Sequence, residues 1–267
     1  MKATPIHKSQ AFTRIELIVV ILAVIAVFVM VTMILPPLHP VRASINRVSC
    51  INSLKQIGTA YRIWASDHNG RFPASESVAN GGWREFLTNA DQGSLCWTNY
   101  AIMADYVGRS PRVLICPSDE RQPAGEFIGG PQTGSSRDAS DFKDNRTLSY
   151  FVGLSADGSQ PQSLLAGDRN LGGGTKPRSD YGFSPESGKG NDVAIQTNSK
   201  TGPVCWSLKV HSAGNSAGAG NILLGDGSVE QVTSGSFRSQ WQPVAGPTTN
   251  WPAGHVPSAP SVRVLFP

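Results

Sequence analysis

The polarity pattern divides the chain near residue 70. Leu17 to Leu35 is a run of nineteen residues with a single polar member, Thr32. As an α-helix rising ~1.5 Å per residue, the run is roughly 28 Å long, close to the hydrocarbon thickness of a bilayer. Pro36-Pro37 then predicts a break, because neither residue can donate an amide hydrogen bond. Beyond the prolines, Val41, Ile45, Val48, Leu54, Ile57, Tyr61 and Trp64 recur in steps of three and four, with Ile51 bridging the longest gap. That spacing predicts one helix with an apolar face along its length, expected to pack on the chain's own globular part. Asn69-Gly70 supplies a left-handed stop, and Pro73 follows.

From about Gly70 the period changes. Short apolar segments alternate with Gly, Pro, Asn and Asp. "RVLICPSDE" reads as a strand ending in a turn at Pro117-Ser118-Asp119, and "LSYFVGLSADG" and "SLLAGDRNL" read as strands followed by turns. "NILLGDGSVEQV" reads as a hairpin turning at Gly225-Asp226-Gly227. "WREFLTN" and "WTNYAIMADYVG" read as short helices. Gly167–Asp192, rich in glycine and charge, is expected to be a long loop. The tail 242–267 is Pro-rich and expected to be extended. A long helix on an antiparallel sheet predicts the α+β class.

Composition sharpens this picture in three ways. Only 16% of residues are charged, with 28 Gly and 19 Pro, which suits a loop-rich exported domain. The net charge of +4 is spread along the chain without a Lys/Arg cluster, so no nucleic-acid partner is expected. The four cysteines, Cys50, Cys96, Cys116 and Cys205, allow two disulfides in three pairings. No Cys-x-x-Cys occurs, so neither a zinc site nor a redox motif is expected.

The apolar run carries charge at its entrance: Arg14, then Glu16. A carboxylate entering lipid is costly unless it is paired. An ordinary signal peptide offers one reading, with Val41-x-Ala43 before Ser44 as its cleavage site, but the run exceeds the ~7–15 residues of a signal core. Flanking cations do not set orientation, since Lys2, Lys8 and Arg14 precede the run while Arg42, Arg47 and Lys55 follow it.

Ala11-Phe12-Thr13-Arg14-Ile15-Glu16-Leu17-Ile18-Val19-Val20 resembles the cleavage and methylation signature of type IV prepilins and type II secretion pseudopilins. The resemblance implies a leader at 1–11, a transmembrane helix at 12–35, a helical stem at 36–69 and an extracytoplasmic domain at 70–267. It implies a cut between Ala11 and Phe12, N-methylation of Phe12, and an assembly role for Glu16 opposite a neighbouring subunit's N-terminal amine. The implied partners are a prepilin peptidase, other pilin-like subunits and an inner-membrane assembly platform. The implied location is the inner membrane, single-pass, with the C-terminal domain in the periplasm or in a pilus-like fibre. Two residues depart from the pattern: Ala11 replaces the usual Gly, and Arg14 replaces an apolar residue. The Cys-x-Asn and Leu-Lys-Gln-Ile-Gly pattern at Cys50–Gly58 resembles a large-domain branch of pilin-like proteins. His211 followed by Asp226-Gly227 resembles that branch's His-to-Asp-Gly motif, at a longer spacing. The residue-level expectation is structural: Asp226-Gly227 in a turn, and His211 bonded to a nearby loop.

Rival chemistries are weaker. Gly214-Asn215-Ser216-Ala217-Gly218 fits a hydrolase elbow, with Asp226 and His255 following, but the elbow needs a helix after it and a strand-like run comes next. Calcium is a candidate ligand by resemblance, with Asp168, Asp180, Asp192 and Asp226 in loop segments free to converge; no Asp-x-Asp-x-Asp loop assigns the ligands, and no cofactor is expected. Six tryptophans (64, 83, 97, 206, 241, 251) admit carbohydrate stacking, though core packing is the simpler expectation. Cys96-Trp97 and Cys205-Trp206 suggest one disulfide, leaving Cys50 with Cys116. The leading expectation is a non-catalytic pilin-like subunit, and the alternative is a membrane-anchored binding module for carbohydrate or calcium that does not polymerise.

Overall fold

The computed structural model describes residues 13–34, 38–88, 96–127, 142–196, 204–211, 218–240 and 261–267. The chain divides into two compact units, Met1–Arg42 and Ala43–Pro267. In the first, α1 (Arg14–Ile34) is an apolar helix whose 19-residue stretch Arg14–Thr32 has a mean hydropathy of 3.0 and no buried residue. It is long and apolar enough to cross a membrane. Its start is fixed locally by a capping box: the Thr13 amide donates to Glu16 Oε2 at 2.9 Å, and the Glu16 amide donates to Thr13 Oγ1 at 3.4 Å.

The helix α2 (Leu38–Asp67) belongs to the second unit from Ala43 onward. The buried stripe is Cys50, Leu54, Ile57, Tyr61 and Trp64, all at 2% exposure or less. This corrects the expectation of a face buried along the whole stem, because Ile45 and Val48 are 62% and 55% exposed. The Val41 side chain lies outside the described residues. Asn69 (φ 56°) and Gly70 (φ 78°) end the helix, with the Gly70 amide donating to Ala65 O at 2.7 Å.

The sheet comprises β1 (Tyr150–Gly153), β2 (Leu164–Asp168), β4 (Asn191–Gln196), β6 (Ala219–Leu224), β7 (Val229–Thr233) and β8 (Ser261–Phe266). Its order is β4-β8-β1-β2-β6-β7, and every neighbouring pair is antiparallel. A smaller sheet pairs β3 (Leu171–Gly173) with β5 (Val204–Trp206). The architecture is α+β. Successive side chains of a strand leave on opposite faces. Accordingly Tyr150, Val152, Ala166, Leu223 and Leu265 join α2 in one core, and Leu165 joins them where the β2–β6 register shifts between Leu164 and Ala166. Phe151, Leu164, Ile222, Val264 and Phe266 join Leu171, Trp206 and Phe237 in a second. Phe237 belongs to α4 (Ser234–Gln240). The central strands are therefore buried on both faces and read as continuous apolar runs. α2 approaches the β6–β7 hairpin closely at Gly58, where a Cβ would stand 2.7 Å from Leu223 Cδ1. The hairpin turns through Gly227 at φ +84°.

Three expected elements differ. "RVLICPSDE" is a 3-10 turn at Pro111–Leu114, not a strand. Pro111 starts the turn with its fixed φ, and buried Leu114 offers its carbonyl to the Ser149 amide at 2.9 Å. The span Gly167–Asp192 is not one loop, since it contains β3 and the start of β4. The Pro-rich tail ends in β8, which lies inside the main sheet between β4 and β1. Of the two short helices, "WTNYAIMADYVG" contributes α3 (Cys96–Ile102), and "WREFLTN" forms a 3-10 turn at Arg84–Thr88.

Candidate functional site

Two places carry chemistry: the entrance of α1 and a buried polar cluster behind α2. At the entrance, Glu16 is engaged through Oε2 within its own chain. Besides accepting the Thr13 amide, its Oε2 accepts the Thr13 hydroxyl at 3.0 Å. The carboxylate thus has a local function that needs no second subunit. Ala11 and Phe12, the expected cleavage positions, lie outside the described residues.

The buried cluster joins four elements. Cys50 on α2 is disulfide-bonded to Cys116, just after the Pro111–Leu114 turn, closing a sequence separation of 66. His211, after β5, places Nε2 3.3 Å from Cys116 Sγ. Asp168, at the end of β2, places Oδ2 3.6 Å from the same nitrogen. Both the His211 and Asp168 side chains are 1% exposed. Asp168 Oδ2 accepts the Asn221 amide at 2.6 Å, while its Oδ1 is buried without a hydrogen-bond partner. Both side-chain polar atoms of Asn221 and Nε of Arg47 are in the same condition. The Arg47 Nη2 donates to His211 O at 3.5 Å. Such a concentration of unpaired buried groups in one place is unusual, because each normally costs about 1–3 kcal/mol.

Burial sets the protonation of this cluster. It pushes the Asp168 carboxyl up to about 8, against the Asn221 amide bond that favours the ionised form. It also pushes His211 down to about 4, helped by the Arg47 cation. At neutral pH the pair is a neutral acid beside a neutral imidazole. A Cys-His-Asp relay is excluded by which atoms meet. In a relay the acid holds one ring nitrogen and the nucleophile faces the other. Here sulfur and carboxylate both face Nε2, and both cysteines are fully buried and bonded to each other.

The remaining candidates lie apart. Cys96 and Cys205 are free thiols, which corrects the expected second disulfide. Cys96 Sγ donates to Leu265 O at 3.3 Å in the α2-side core, whereas Cys205 Sγ meets Ser234 Oγ at 3.2 Å across the β5–α4 contact. Trp64, Trp83 and Trp206 are buried; Trp241 and Trp251 lie outside the described residues. Asp226 sits in the β6–β7 turn, accepts the Ser228 amide at 2.8 Å, and has Arg62 on its carbonyl at 3.2 Å. His211 is therefore joined to Asp168 rather than to Asp226-Gly227. The calcium candidates do not share one ligand set: Asp168 is inside, Asp180 is occupied by exposed Arg178, and Asp226 is occupied at its turn. The Asp192 side chain, Ser216 and His255 lie outside the described residues. Gly218 leads into strand β6, where a nucleophile elbow requires a helix.

Asp168 stood in the sequence only as one of four calcium candidates; its place beside His211 is what sequence reasoning missed. The available signal was a carboxylate ending the otherwise apolar segment "SLLAG". Beside the cluster, Arg169 is also buried and fixed by two bonds to Asp119, at 2.7 and 2.8 Å, under the Tyr181 ring at 3.4 Å. No family model, curated protein or solved structure matches the chain.

Proposed function

We propose that the chain is a pilin-like structural subunit of the type II secretion pseudopilin kind, cut between Ala11 and Phe12 and N-methylated on Phe12. It is anchored through α1 in the inner membrane with residues 43–267 in the periplasm. It is non-catalytic and acts through a prepilin peptidase, an assembly platform and other pilin-like subunits. The observation that carries this reading is the order of features: the Ala11–Val20 signature, a capped helix with no buried side chain over Arg14–Thr32, and a stem helix built into an α+β domain. The exposed Ile45 and Val48 on α2 suit subunit contact. A second reading keeps the anchor and drops polymerisation. It is favoured by Arg14, a fixed cation two residues from Glu16 at a position that is apolar in the pattern the chain resembles.

Glu16 separates capping from assembly. Glu16→Gln keeps a carbonyl acceptor for the Thr13 amide but removes the charge. Glu16→Ala removes both, leaving the Thr13 amide without its side-chain acceptor. The proposal expects both variants to remain in the membrane and both to vanish from sheared fibres. Fibre incorporation of Glu16→Gln at the wild-type level leaves Glu16 with capping alone and refutes its role in assembly.

A further inference from the structure

We propose that Cys50, Cys116, Asp168 and His211 form a redox-gated site for a thiophilic divalent cation of the zinc class, closed by the disulfide and opened to metal when a dithiol reduces it. The four donor atoms lie within 4.8 Å of one another, and all four residues are buried. Two thiolates, one imidazole and one carboxylate make a four-donor set of the kind that holds zinc tetrahedrally. The set is non-local in sequence, which is why no Cys-x-x-Cys announces it.

Three observations point to a metal beyond mere proximity. The sulfur and the carboxylate converge on one ring nitrogen, as ligands around a common centre do. Asp168 Oδ1 is buried without a hydrogen-bond partner, while Oδ2 of the same carboxyl faces His211 Nε2 at 3.6 Å. Arg47 stands against His211 and can offset the surplus negative charge of two thiolates and a carboxylate around a dication. The movement required is small. With zinc–sulfur bonds of about 2.3 Å in a tetrahedron, the sulfurs separate to about 3.8 Å, reachable by side-chain rotation.

The chemistry balances as follows. The dithiol supplies two electrons and two protons; the Cys50–Cys116 bond breaks, two thiols form, and the reductant leaves as its own disulfide. The cation then replaces the two thiol protons, and the carboxyl proton of Asp168, while neutral His211 binds through Nε2. In the oxidised state a covalent bond pins α2 to the Cys116 segment. In the reduced state the metal pins α2, that segment, the end of β2 and the residue after β5 together, so the domain stays clamped in both.

The test uses the full chain in detergent micelles, reduced anaerobically with a phosphine, freed of reductant and titrated with Co²⁺ and then Zn²⁺. The reduced protein should bind one Co²⁺ per chain, with visible bands of tetrahedral intensity and a near-ultraviolet thiolate-to-cobalt band, and Zn²⁺ should displace it. The oxidised protein should show neither band. His211→Ala and Asp168→Asn should each weaken Zn²⁺ retention at least tenfold, whereas Cys96→Ala and Cys205→Ala should leave the spectrum intact. Loss of the bands in the Cys96 or Cys205 variant, their persistence in His211→Ala, or equal binding by oxidised and reduced chains overturns the proposal. Circular dichroism guards against unfolding: recovery of structure by Zn²⁺ in a reduced chain supports the site, and a reduced chain that Zn²⁺ leaves unfolded contradicts it.

Discussion

Replacing both Cys50 and Cys116 by alanine removes the one covalent cross-link found among the described residues. Its stabilising effect follows from the chain it closes. A loop of 66 residues loses conformational entropy in the unfolded state worth about 4 kcal/mol at 25 °C. The substitution also removes two buried sulfur atoms, about 1 kcal/mol each by analogy with other small core deletions. A matched control therefore exists in the same protein. Cys96→Ala with Cys205→Ala removes two buried sulfurs and no cross-link. The difference between the two double variants isolates loop closure. Denaturant unfolding of the full chain in detergent, followed by tryptophan fluorescence, should place the Cys50/Cys116 variant about 4 kcal/mol below the control. For a domain of this size that is ~8–16 °C in midpoint. A difference under about 1 kcal/mol, or a non-reduced peptide map linking Cys96 to Cys205, refutes the reasoning.

Two further outcomes are expected. Gly58→Val should destabilise the domain by about 2 kcal/mol, measured by the same unfolding assay, because its Cβ would meet Leu223 Cδ1 at 2.7 Å and the Gly227 backbone at 3.4 Å; Gly58→Ala should cost less. Stability of the oxidised protein should fall as pH rises from about 6.5 to about 8. Asp168 holds its proton more tightly folded (about 8) than unfolded (3.8), so its contribution is lost as pH rises through that window. His211, at 6.5 unfolded and about 4 folded, has the opposite slope, which cancels Asp168 only below 6.5. The remaining loss is about 2 kcal/mol at roughly 1.4 kcal/mol per pH unit, and Asp168→Asn should flatten it in pH-resolved melts.

The parts legible in the sequence were those whose signal is local. The stripe Leu54, Ile57, Tyr61, Trp64 announced α2, and Gly225-Asp226-Gly227 announced the β6–β7 hairpin, because periodicity and turn chemistry act over a few residues. Strand β8 was hidden because its partners, β1 and β4, lie far away in sequence and the prolines before it dominate the local reading. "VLIC" looked like a strand because burial, not ladder pairing, explains its apolar run. The cluster was half visible. Cys50, Cys116 and His211 stood out as residue types, but Asp168 looked like a turn residue, and only the sheet register brings it against His211. Glu16 adds a local role that its position at the entrance of the apolar run did not announce: a capping box inside four residues employs it.

The processing of the N-terminus tests the central claim most directly. Intact-mass and N-terminal analysis of the protein purified from membranes should give a chain that begins at Phe12 with one added methyl group and retains α1. A chain that begins at Met1 or at Ser44 contradicts the pilin-like account.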